Sequence, residues 1–92
     1  MYRIKDYSYN QAKLLGVQIF PSDNLKYKIE VYDKNGKFLF YIGDNKYSDY
    51  PTYLETHGRE YAENRRRLYK LRHNKESNKK GSRGFYSYHI LW

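Results

Sequence analysis

The segment Arg59–Arg83, REYAENRRRLYKLRHNKESNKKGSR, holds ten of the chain's eighteen Lys and Arg and only three of its ten Asp and Glu, so it carries +7 of the formal +8 charge. Guanidinium and ammonium groups at that density do one kind of chemistry well: they neutralise and hydrogen-bond a polyanion, phosphate above all. On a helix of 3.6 residues per turn, Arg59, Arg66 and Lys70 form one outward row with His73 beside it. Lys79, Lys80 and Arg83 extend that row into a loop, and these six are the candidate nucleic-acid contacts. The alternative is a solvated face partly neutralised by Glu63. Arg65 and Arg72 fall instead within an apolar stripe with Leu54, Tyr61, Leu68 and Tyr69. They are expected to be structural first, paired with Asp44, Asp49 or Glu55 and stacked on tyrosines, and to contact phosphate second.

Other chemistries find little support. His57, His73 and His89 are too far apart for a local metal motif, there is no cysteine, and no HExxH or paired-carboxylate signature occurs. The Arg65–Arg72-His73 series with its tyrosines is a faint echo of DNA strand-transfer sites, in a chain far too small for such an enzyme. The expectation is therefore no catalytic residue, no metal and no cofactor. Thirteen Tyr, four Phe and one Trp supply much of the apolar area, since aliphatic residues are sparse. Most of these rings read as core or core edge; stacking on unpaired bases is the second reading. Lys26, Lys28 and Lys37 make a weaker basic patch on the polar face of a hairpin, where a solvated lysine face is the commoner case.

The elements that must position these groups are short. At 92 residues the chain reads as one domain spanning residues 1–92. Met1–Asp6 alternates weakly and suggests an edge strand. Ser8–Gly16 is a brief helix, capped by Ser8 or Asn10, with Ala12 and Leu15 inward and Gly16 at its left-handed exit. Val17–Phe20 is a strand stopped by Pro21. Leu25–Tyr32 alternates cleanly, Asp33-Lys34-Asn35-Gly36 turns the chain, and Lys37–Ile42 returns. Ser48 or Asp49 caps a helix with Pro51 in its first turn. That helix either runs unbroken to about Asn74 or divides at Gly58, with the break favoured, and its apolar stripe is expected to face the sheet. Ser77–Gly84 is a basic loop by composition. The aromatic end, FYSYHILW, fits helix or strand, and its final Trp92 is expected to dock on the body. The fold class is α+β: a short three-stranded antiparallel sheet packed against a long or bent basic helix, closed by an aromatic C-terminal segment. No apolar run approaches a membrane span of about 20 residues. The start, MYRIKDYSYNQ, lacks the apolar region of a signal peptide, so an intracellular setting is expected.

Three patches, AKLLGVQIFPS with its hairpin, YSDYPTYLETHGREYAENRRRLYKLRH and GSRGFYSYHILW, together resemble the small basic proteins of nucleocytoplasmic large DNA viruses and related algal viruses. The resemblance runs from about Gln11 onward. It is carried by Tyr47-Ser48-Asp49-Tyr50, the Arg66/Tyr69/Arg72-His73 series, Gly84-Phe85-Tyr86-Ser87 and the closing Leu91-Trp92, after which relatives often continue with a few polar residues. It implies a viral origin more than an activity, with a host-cytoplasm or viral-factory location and packaging in the virion as a further option. Two roles follow as expectations. One is a non-enzymatic nucleic-acid-binding accessory or packaging protein, with DNA favoured; the other is a minor capsid component bridging capsid proteins.

Overall fold

The computed structural model describes all residues from Met1 to Trp92. Helix α1 (Asp6–Leu15) leads to β1 (Gln18–Pro21), β2 (Tyr27–Tyr32) and β3 (Phe38–Asp44). Helices α2 (Tyr50–His57) and α3 (Arg59–Arg72), a 3₁₀ turn (Asn74–Asn78) and α4 (Arg83–Ile90) complete the chain. The sheet is antiparallel with order β1-β2-β3, so the fold is α+β as the sequence indicates.

Met1–Lys5 pairs with no strand, contrary to the edge-strand expectation. Its side chains are spent on the neighbourhood of α2 instead: Arg3 forks onto Glu55 at 2.7 and 2.8 Å, and Lys5 Nζ donates to Thr52 at 2.9 Å. Helix α1 therefore begins earlier than Ser8, with Asp6 complementing the helix dipole. Ser8 is buried and donates to the Ile90 carbonyl at 2.8 Å rather than capping. Gly16 closes α1 at φ 73°, a conformation few other residues take readily.

Ile29 faces Ile42 and Val31 faces Phe40 across the central pair, while Ile19 lies beside Val31 on β1. Ile19, Ile29, Val31 and Ile42 join Ala12, Ile90 and Leu91 in the buried core, and half-buried Phe40 packs against it. α1 and α4 lie against β1 and β3 respectively, and against each other. Leu25 falls outside β2 and is 77% exposed; Asn45 closes that end by donating to the carbonyls of Leu25 and Tyr27. The hairpin turn is as expected, with Asp33 Oδ1 accepting from Asn35 and Lys37 amides and Gly36 at φ 87°.

Asp49 caps α2, accepting from the Thr52 amide at 2.9 Å, and Pro51 occupies the first turn. Gly58, at φ 84°, divides the basic segment into α2 and α3. The basic helix packs mainly on α2 rather than laying the Tyr61–Leu68 stripe on the sheet. Ala62, fully buried, marks the inward direction because its small side chain lets the helices approach. Arg66 and Lys70 follow at intervals of four and so share Ala62's face, whereas Tyr61 is 42% exposed. The C-terminal alternatives resolve to a helix, α4, capped by Ser82 Oγ accepting from the Phe85 amide at 3.1 Å.

Candidate nucleic-acid interface

A groove of about 820 Å³ runs between α3, the open end of the β2–β3 pair and the start of α4. Its wall includes a column of three flat rings. Tyr69 lies between His73 and Trp92, with centroids 4.2 and 4.3 Å away and planes tilted 25° and 5°. The i, i+4 spacing of Tyr69 and His73 on α3 places those two rings together, and Trp92 arrives from the end of α4. Burial first of all pushes the Tyr69 phenol above its ordinary pKa, so it stays neutral and can serve the groove as a hydrogen-bonding group.

Three arginines from two helices reach this groove: Arg65 and Arg72 from α3 and Arg83 from the first turn of α4. The Arg65 guanidinium stands 5.7 Å from the Tyr53 ring centre. Arg83 Nε donates to the Tyr41 carbonyl at 3.0 Å and its guanidinium lies 4.9 Å over the Tyr27 ring. None of the three has a carboxylate within 4.0 Å. This corrects the expectation that Asp44, Asp49 or Glu55 ties down Arg65 and Arg72. Glu55 is taken by Arg3, Asp49 by Lys28, and Asp44 accepts from the Lys46 amide at 2.8 Å. Two acids also line the groove, Asp44 and Glu76. Glu76 lies against Gly84, where any side chain would overlap its carboxylate, and stands 3.9 Å from Lys79 Nζ.

The outward row divides. Arg59 is exposed and free of ion pairs. Arg66 is drawn into the packing: it bridges Glu63 at 2.8 Å and covers the Tyr50 ring at 4.1 Å, with Tyr50 donating to the other Glu63 oxygen. The Tyr50 hydroxyl above all, with help from Arg66, holds the Glu63 carboxyl below its ordinary pKa against the opposing effect of burial. Lys70 is half-buried, 5.0 Å over the Tyr88 ring, and burial lowers its pKa, reinforced by the Arg66 charge. Arg66 is thus held against Glu63 and Tyr50, and Lys70 lines a shallow flank beside Tyr88, away from the groove. Lys79 and Lys80 are exposed in the turn before α4. Of the six outward candidates, only Arg83 joins Arg65 and Arg72 in the groove.

Lys28 departs furthest from its expected place. The strand alternation points it to solvent, yet it is 5% exposed and pairs with buried Asp49 at 2.8 Å. Tyr2 donates to the same carboxylate at 2.7 Å. Burial would raise the Asp49 pKa; the adjacent Lys28 charge, with hydrogen bonds from Lys28, Tyr2 and Thr52, more than offsets it and keeps the group low. His57 and His73 stack on Tyr61 and Tyr69, His89 lies tilted against Phe85, and no three acidic or histidine side chains are placed to hold a metal ion together. No helix is long and apolar enough to cross a membrane. Comparison with protein-family models, curated proteins and solved structures finds no match to this chain.

Proposed function

We propose that this is a non-enzymatic nucleic-acid-binding protein that holds the phosphate backbone in the groove of Arg65, Arg72 and Arg83. The observation that supports this reading most is the convergence of three carboxylate-free guanidinium groups from two helices on one aromatic-walled groove. Arg65 is partly covered, whereas Arg72 and Arg83 are exposed, so all three guanidinium groups are open to a partner. Asp44 and Glu76 share the groove wall but pair with none of the three arginines, which leaves planar donors free for phosphate oxygens. Lys79, Lys80 and Arg59 add unpaired or weakly paired charge elsewhere on the surface. DNA is the favoured ligand. In the viral setting that the sequence resemblance implies, the role is an accessory or packaging one in the host cytoplasm or viral factory.

Fluorescence anisotropy with labelled DNA tests the reading. The Arg65→Ala/Arg72→Ala variant should bind more weakly by over about 2 kcal/mol, from two lost charge-assisted hydrogen bonds. Arg66→Ala should change affinity little, because that guanidinium is committed to Glu63 and Tyr50. Equal affinity of the double variant and the parent would remove the groove from the account.

A further inference from the structure

Outside the groove, a row of aromatic rings crosses all three strands. Strand alternation turns Ile19 and Val31 into the core and so turns Phe20 and Tyr32 outward. An irregularity at Val31/Tyr32 shifts the register so that Phe38 faces Tyr32, instead of the residue after it. The rings then touch in series. Centroids are 5.5 Å apart for Phe20–Tyr32, 5.5 Å for Tyr32–Phe38, 4.9 Å for Phe38–Tyr41 and 5.4 Å for Tyr41–Tyr27, the last pair stacked within 9°. Phe20 and Phe38 are 48% and 42% exposed. Single exposed apolar side chains are ordinary on a protein surface, whereas contiguous apolar patches are the ones that mark interaction sites.

The charges around the row say what it recognises. At one end Arg83 covers Tyr27 at 4.9 Å, so the rings run directly into the cationic groove. At the other, Lys34 and Lys37 are exposed on the β2–β3 turn. Two acids adjoin the row, Glu30 on β2 and the exposed Asp23 beside it; Glu30 accepts from the Tyr32 hydroxyl at 2.7 Å and the Asp23 amide at 3.0 Å. Flat apolar rings flanked by free cations complement a ligand with flat faces and an anionic backbone. In a duplex the base faces are already covered by their neighbours, whereas in a single strand they are free to leave the stack.

Building on the phosphate groove, we propose that this sheet face stacks the unpaired bases of single-stranded nucleic acid while the groove holds the adjoining phosphates. Phe20, Tyr32, Phe38 and Tyr41 are the stacking platform, and Arg83 joins the platform to the groove. The test compares an oligothymidylate of about ten nucleotides, enough to span one small binding face, with a duplex of the same length. The parent protein should prefer the single strand. Phe20→Leu/Phe38→Leu keeps apolar bulk, so folding can be verified by circular dichroism, but removes two flat rings. It should lose about tenfold or more in single-strand affinity, with duplex affinity unchanged. In the parent, 5-iodouracil placed along the oligonucleotide should photocrosslink to the platform residues. Equal binding of single strand and duplex, unchanged by the double variant and without such crosslinks, would overturn the platform and leave the groove standing. Absence of any nucleic-acid binding would overturn both. Concentration-dependent dimerisation that the double variant abolishes would assign the face to a second copy of this chain and overturn the platform.

Discussion

At the scale of single residues, the pair Lys28–Asp49 and the groove acid Glu76 carry the sharpest consequences. Asp49 does three things at once: it caps α2, neutralises Lys28 and accepts from Tyr2. Asp49→Asn leaves the Lys28 ammonium buried without a counter-charge and should cost about 3–5 kcal/mol in chemical denaturation. Because the folded-state pKa of Asp49 lies below the unfolded one, its contribution is complete above about pH 4 and disappears as the pH falls through the depressed folded value. Denaturation midpoints measured from pH 7 down to pH 2 should therefore drop in the parent, with a smaller drop in the Asn variant. Glu76 acts in the opposite sense, since its charge faces the same groove as the arginines. Glu76→Gln should tighten DNA binding by about 0.5–1 kcal/mol, the worth of one partly exposed charge interaction. Weaker binding would mean that Glu76 orders the groove rather than opposing its ligand.

At the scale of elements, the site depends on how α4 is tied to β3 and to α3. Gly43 sits at φ 79°, and a Cβ there would come within 2.7 Å of Leu91 Cδ1 and 3.1 Å of Lys28 Cδ. Gly43→Ala should destabilise by about 1–3 kcal/mol through that strain, read as a lowered thermal midpoint. Ser82→Ala removes the cap of α4 and should cost about 1 kcal/mol. Much of this layout is legible in the sequence because local chemistry sets it. Gly16 ends α1, Asp33–Gly36 makes the hairpin turn, Asp49 and Pro51 start α2, and Gly58 breaks the basic helix. The site is less legible because its parts are assigned by contacts far apart in the chain. Lys28 alternates like a surface lysine, and only Asp49, 21 residues on, explains its burial. The helical wheel ranks Tyr61 and Leu68 above Ala62 as the packing face, although the smallest residue sets the closest approach. That shift takes Arg66 and Lys70 out of the free row and brings Arg65 and Arg72 to the groove.

At the scale of the whole molecule, the charge is unevenly used. Among the cations of Arg59–Arg83, only Arg66 and Lys79 pair with a carboxylate, so most of the segment's charge remains available to a partner. Its radius of gyration is 12.5 Å, close to the roughly 12 Å expected for a compact chain of this length. The unpaired cations are therefore crowded onto a small body, which focuses a positive field and speeds association with an anionic ligand. The measurement that bears most directly on the central claim is the slope of log affinity against log salt concentration. It should be taken for the parent and for Arg65→Ala/Arg72→Ala with the same single-stranded DNA. Each phosphate contact contributes about 0.7 to the slope for a single strand, so the double variant should be shallower by about 1.4. Parallel lines for the two proteins would contradict the assignment of these arginines to the phosphate backbone.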